Sequence, residues 1–242
     1  MEERRMVTRL VVVLALVVAV SAQAQTPISQ DTAMNAAAMG SMDHPMAEPH
    51  MRMTDPWPAS AADSTRGAAL VTFIHQHLDK YRSVDTALAD GFRPFHPEVP
   101  QPVYHYTNLM YGLEARFAFD PAHPTSLLYR KNADGGFTLV GVMYTAPRSF
   151  PDSALNARVP LSLTHWHEHI NWCVPPKGQD QRWAERHDGT PVFGPHSTIV
   201  TQEGCDAVGG RFLPLVFNWM VHVNAFASDD PRIIWGVEPP AR

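Results

Sequence analysis

Residues 163–174 read Leu-Thr-His-Trp-His-Glu-His-Ile-Asn-Trp-Cys-Val, with a histidine at every second position: His165, His167 and His169. A period of two is that of a β-strand, whose side chains alternate between the faces of a sheet. Read as a strand, one face carries His165, His167, His169, Asn171 and Cys173, and the other carries Trp166, Glu168, Ile170 and Trp172. Read as a helix, only His165 and His169 would share a face. The bulky, partly β-branched content and the stop at Pro175-Pro176 favour the strand. The chain must therefore build a sheet around a strand with nitrogen and sulfur donors on one side.

The remaining segments supply partners for that strand. Ala69, Leu70, Phe73, Ile74, His77, Leu78 and Tyr81 recur at helical spacing and predict a helix over 61–81, with Ser64 as a candidate N-cap. His75 and His77, two apart on a helix, point to different sides and cannot chelate together. Ser83 caps a second short helix that ends at Gly91. Strands are expected over 103–107 and 113–119. A hairpin is expected from 126–131 and 137–145, joined by Asn132-Ala-Asp-Gly-Gly136. Loops are expected over 147–160 and 175–195, and the histidine strand over 161–174. Ser197 is a candidate cap for a short helix toward Val208, stopped by Gly209-Gly210, and a strand is expected over 218–226. The sum is an α+β fold: N-terminal helices packed on a mainly antiparallel β-sheet, in a single domain over 61–242.

The first sixty residues have a different character. Glu2 to Arg9 holds three arginines and two glutamates, an apolar run from Leu10 to Val20 follows, and Ala22-Gln23-Ala24 resembles a cleavage signature. This predicts a signal peptide over 1–24 and an exported protein, periplasmic or secreted. The apolar run is short for a bilayer, and no membrane span is expected in the mature chain. Residues 25–60 read as a disordered linker rich in methionine and histidine. Six of the eleven methionines fall within 34–53. Met42, His44, Met46, His50, Met51 and Met53 are candidate soft-metal ligands there, because thioether sulfur suits Cu(I) and imidazole accepts copper in either oxidation state. The formal net charge is −5. Without clustered Lys and Arg, nucleic acid is not an expected partner.

Two cysteines, Cys173 and Cys205, are present. In an exported chain the expected outcome is a disulfide, worth about 3 kcal/mol or somewhat more in the chain-entropy model. The alternative makes Cys173 a thiolate ligand beside the histidines. The thirteen histidines supply the metal candidates. Neighbours at i, i+2 on a strand are about 7 Å apart at the backbone, whereas His165 and His169 are about 13 Å apart. One ion is therefore expected on His165 and His167, or on His167 and His169, completed by His222, with His105 and His196 as outer candidates. Copper or zinc is the expected ion, with the Met/His-rich stretch favouring copper. A zinc-protease H-E-x-x-H motif would need histidine where Asn171 stands. No G-x-S-x-G, P-loop or G-x-G-x-x-G pattern is present.

Asp79-Lys-Tyr-Arg, Ala87-Leu-Ala-Asp-Gly-Phe92, Tyr104-His-Tyr-Thr-Asn108, the 119–129 stretch Phe-Asp-Pro-Ala-His-Pro-Thr-Ser-Leu-Leu-Tyr and Leu139-Val-Gly-Val-Met-Tyr-Thr-Ala-Pro147 resemble a widespread, uncharacterised family of secreted bacterial proteins. The likeness covers residues 70–175 and implies a single α+β domain with a short helical N-terminal part. It carries no catalytic residues to transfer. The 34–53 stretch resembles the Met/His-rich tails of periplasmic copper-handling proteins. Three readings follow: metal capture or buffering, a metal-dependent hydrolase or oxidoreductase at the same histidines, or an interaction module without metal.

Overall fold

The structure, a computed structural model, describes residues 49–97 and 101–237. The expected signal peptide, and the tail candidates Met42, His44 and Met46, lie outside the described residues. The chain opens with strand β1 (Met51–Met53), helix α1 (Ala61–Leu78), a 3₁₀ turn (Asp79–Arg82) and helix α2 (Val84–Ala89). Strands β2 (Arg93–Pro94) and β3 (Tyr104–Thr107) precede helix α3 (Leu109–Glu114). The hairpin of β4 (Ser126–Lys131) and β5 (Phe137–Ala146) is followed by helix α4 (Asp152–Arg158) and strand β6 (His167–Val174). A 3₁₀ turn (Asp180–Ala184) leads to the small hairpin of β7 (Arg186–His187) and β8 (Thr190–Pro191). Helix α5 (Gln202–Ala207), strands β9 (Arg211–Leu215) and β10 (Trp219–Val223), and helix α6 (Pro231–Ile234) complete the order.

The class is α+β. Seven strands run β1-β6-β10-β5-β4-β3-β2 across the main sheet, and β9 pairs with β6. Each pairing is antiparallel. Alternation sorts the side chains into two cores. Leu127 and Tyr129 of β4, Val142 and Tyr144 of β5, and Val221 and Val223 of β10 share one buried cluster with Leu70, Ile74 and Leu78 of α1. On the reverse side Leu128, Val140, Met143, Met220 and Val103 form a second cluster, with Phe217 packed against it.

That second face is strongly curled. Strands β3 and β10 are separated by β4 and β5, which would put them about 14 Å apart in a flat sheet. Instead His105 on β3 and His222 on β10 have ring centroids 5.5 Å apart. Phe95, just after β2, likewise meets Phe217, between β9 and β10, at 5.7 Å. Two features permit the curl. A bulge interrupts the β4–β5 register at Leu128/Tyr129, and bulges raise local twist. Gly141 faces the β10 end closely: an added Cβ would stand 2.6 Å from the Val223 carbonyl oxygen and 2.8 Å from Asn224 Cα.

Local chemistry explains where the elements differ from expectation. Ser60, not Ser64, caps α1 by accepting from the Asp63 amide. Ser83 caps α2 as expected, and Gly91 follows at φ 90, a conformation glycine takes without strain. The segment expected as strand 113–119 instead begins with α3, because the Asn108 side chain accepts from the Met110 and Tyr111 amides and starts a helix. The expected loop over 147–160 contains α4. The helix expected from Ser197 begins after Thr201, whose hydroxyl accepts from the Gly204 amide.

The expected boundary of the linker at residue 60 is corrected. Residues 49–60 belong to the folded unit: Met51, Arg52 and Met53 lie opposite His169, Glu168 and His167 in register. His50 is 3 % exposed, and its Nδ1 and Nε2 stand 3.0 and 2.6 Å from the Asn171 and Ser197 carbonyl oxygens. The Thr54 amide donates to the Trp166 carbonyl at 2.9 Å. Edge pairing, invisible in a polar, proline-bearing stretch, decides its structure. A chain beginning at residue 61 is therefore expected to melt several degrees below one beginning at residue 49. Equal melting temperatures would show that β1 adds nothing to the fold.

Candidate functional site

Four histidines converge on the curled face. His167 and His169 lie two apart on β6, with ring centroids 5.6 Å apart. Met220 of β10 is directly opposite His167, so His222, two residues on, emerges on the same side. The His167 and His222 rings are 5.0 Å apart. His105 reaches across the curl and brings its Nε2 to 3.5 Å from the His222 Nε2. Aromatic rings wall the group. Trp172 lies 5.0 Å and Phe217 6.0 Å from His169, centroid to centroid.

Burial makes this cluster unusual. His167 is fully buried and His222 is 2 % exposed, while His105 and His169 are partly buried. Among the described residues neither ring nitrogen of His167, nor the buried Nδ1 of His169, meets hydrogen-bond geometry, although the His165 and His50 backbones still act on the two rings. An unmet buried polar atom costs roughly 1–3 kcal/mol. His222 differs: its Nδ1 is hydrogen-bonded to the Val237 carbonyl. With the carbonyl accepting, that bond places the N–H on Nδ1 and turns Nε2 toward His105.

The environment keeps His105, His167 and His169 neutral. Burial takes His105 down to about 3, helped by the imidazoles of His222 and His169 and opposed by the Val103 carbonyl. Burial and then His222 take His169 down to about 4. His167 is held well below the ordinary histidine value by burial, then by His222, His169 and His105. Neutral imidazole with a free lone pair is the form that binds metals.

Of the expected site residues, His105, His167, His169 and His222 come together, and His165 does not. It precedes β6, and its Nδ1 donates to the Thr54 carbonyl at 2.8 Å. His196 is exposed. In the tail, His50 is engaged by two carbonyls, whereas Met51 and Met53 lie opposite His169 and His167. Cys173 is bonded to Cys205, with an S–S distance of 2.00 Å and a Cα–Cα distance of 5.4 Å, so the thiolate alternative is overturned. The cysteine leaves the histidine face because Asn171 takes φ 57, which breaks the alternation. Trp172 then meets His169, and Cys173 turns to Cys205 and Phe193.

Glu168, which the strand reading puts on the face opposite the histidines, is fully buried, ion-paired with Arg52, and has Arg148 Nε 3.9 Å away. It lies on the reverse face from His167 and His169, as alternation requires. The guanidinium of Arg52 lies 5.2 Å from the Trp219 ring centroid on that side. The signal was present in the H-E-H alternation, but its partner lay in the supposed linker.

Among the described residues, no three His, Cys, Asp or Glu side chains stand, as they are, in an arrangement that could hold a metal ion. The pair His105–His222 nonetheless has ligand spacing. Two nitrogens each 2.0–2.1 Å from a tetrahedral ion are about 3.3–3.4 Å apart. Rotating the neighbouring His167 ring about χ2 re-aims its nitrogens without moving the backbone.

Metal-free protein is expected to lose stability in mild acid. In the unfolded chain His105, His167 and His169 take up protons below pH 6.5, their ordinary value, whereas in the fold His105 is lowered to about 3, His169 to about 4, and His167 well below its ordinary value. Unfolding then binds protons, so stability is complete above pH 6.5 and falls as the pH drops from 6.5 toward 4. Denaturant titrations of wild type and of His167→Ala, followed between pH 7.5 and 4.5, check this. The variant should show a shallower slope, and identical slopes would oppose it.

No family model, no curated protein and no solved structure matches this chain.

Proposed function

We propose that the protein is an exported metal-binding protein that captures or buffers a transition-metal ion, copper or zinc, on His105, His167, His169 and His222. One observation carries the reading: His167 is fully buried among three other histidines, with neither ring nitrogen in hydrogen-bond geometry with a described residue. A bound ion would supply the missing partner, and the His222–Val237 contact is the kind of outer-shell hydrogen bond that orients a ligating imidazole. In this reading the N-terminal helices pack on the far face of the sheet, away from the histidines. The signal-like residues 1–24 and the disulfide support export. No helix among the described residues is long and apolar enough to cross a membrane.

The enzyme reading draws less support. A cavity of about 360 Å³ is lined by Tyr111, Glu114, His123 and Tyr144, among others. Another, of about 590 Å³, is lined by Arg116, Pro147, Arg148, Ser149 and Asn218. Neither has a cluster histidine in its wall, so a substrate held in either would lie away from the proposed ion.

Elemental analysis after loading and desalting tests the reading. Wild type and His165→Ala are expected to retain stoichiometric copper or zinc, and His167→Ala and His222→Ala to lose it. Wild type that retains none would return the histidines to a structural role. A tail deletion meant to leave the fold intact must stop at residue 48, because removing 34–53 also removes β1.

A further inference from the structure

The register across β1, β6 and β10 puts Met53, His167 and Met220 in one row. Met53 is opposite His167 on one edge, and Met220 is opposite it on the other. Directly opposed residues of an antiparallel pair project from the same face, with Cβ atoms about 4.5–5.5 Å apart. Methionine is unbranched and flexible, so a thioether on either side can be brought toward the His167 ring. Met220 is 4 % exposed, and Met53 is partly buried. Met143, 8 % exposed, repeats the arrangement opposite His222.

Charge points the same way. Among the described residues, the groups that act electrostatically on His105, His167 and His169 are other histidines, and no carboxylate is among them. Glu168, next to His167 in sequence, faces the other side and is paired with Arg52. An ion here would be buried among neutral ligands, with no carboxylate of the described residues to balance it. The desolvation cost of an ion rises with the square of its charge, so a divalent ion pays about four times the cost of a monovalent one. Soft thioether ligands favour Cu(I) over Zn(II) for an independent reason.

We propose that Met53 and Met220 are sulfur ligands to the ion held by His167, and that the site is selective for monovalent copper. The inference rests on the metal-binding reading and deepens it. It also gives β1 a role: the strand that ends the methionine-rich stretch carries one of its sulfurs into the folded site.

The test uses the full chain and a second full-length chain in which Met34, Met39, Met42, Met46 and Met51 are changed to leucine, so that Met53 is the one sulfur left in the 34–53 stretch. In each background Met53→Leu, Met220→Leu and the double variant are titrated with Cu(I) against a chromophoric chelator, and with Zn(II) separately. X-ray absorption of the Cu(I) form reads the ligand atoms. Leucine keeps the volume, so the fold should hold. The expected result is a sulfur shell in the parent chain that is lost in the double variant, with Cu(I) affinity at least tenfold weaker and Zn(II) affinity within threefold. A nitrogen-only shell with unchanged Cu(I) affinity, in a protein that still loses metal on His167→Ala, would overturn the sulfur ligands and leave the histidine site standing. Failure of the parent chain to bind either ion would overturn both.

Discussion

Strand β6 is hydrogen-bonded along both edges, and the rest of the molecule follows from that. On one side it takes β1, and on the other β10 and then β9. At His167 and Glu168 both of its faces are buried, yet its sequence alternates histidine with tryptophan, glutamate and isoleucine. The apolar side is easily met, since Trp166 is fully buried in the main core. The histidine side has to be met by something else, and the curl of the sheet brings two further imidazoles, from β3 and β10, to the same place. Four adjacent imidazoles, with no carboxylate of the described residues beside them, are not a low-energy core on their own. They repel as cations and leave donors unmatched as neutral rings.

The sequence carries the local part of this arrangement plainly. The period of two in 165–169 identifies a strand, the Asn132–Gly136 turn identifies the β4–β5 hairpin, and Ser83 and Gly91 bound α2. These signals depend on residues close together in the chain. Partners distant in sequence are harder to read. Met53 and His167 are joined only by strand pairing, and nothing in Met-Arg-Met announces an edge strand. The failure at His165 has a similar origin: the periodic pattern continues one repeat beyond the pairing, and the side chain goes to the Thr54 carbonyl instead. At the other end the left-handed backbone of Asn171 shifts the alternation, which is why the cysteine expected on the histidine face pairs elsewhere.

The disulfide and the histidine cluster thus sit on one strand but in separate environments. Cys173 belongs to a small core with Phe193 and Cys205, ringed by Trp183, Val192, Ile199, Val208 and Phe212. This core holds the long segment after β6 against the sheet. The Arg182 side chain reinforces it by donating to the Val208 and Gly209 carbonyls and pairing with Glu185. The covalent link fixes the end of β6 beyond Asn171, while His167 and His169 are positioned by their neighbours on β1 and β10.

Arg52 gives the shortest strand an influence beyond its length. It stands between Met51 and Met53 and, by alternation, points to the face where Glu168 is buried. A slip of β1 by one residue would swing the guanidinium in among the histidines and leave the Glu168 carboxylate with only the more distant Arg148. Both consequences are costly in a dry interior. The ion pair therefore acts as a key for alignment: only one docking of β1 on β6 satisfies the charge on one side, and that same docking presents both methionines on the other.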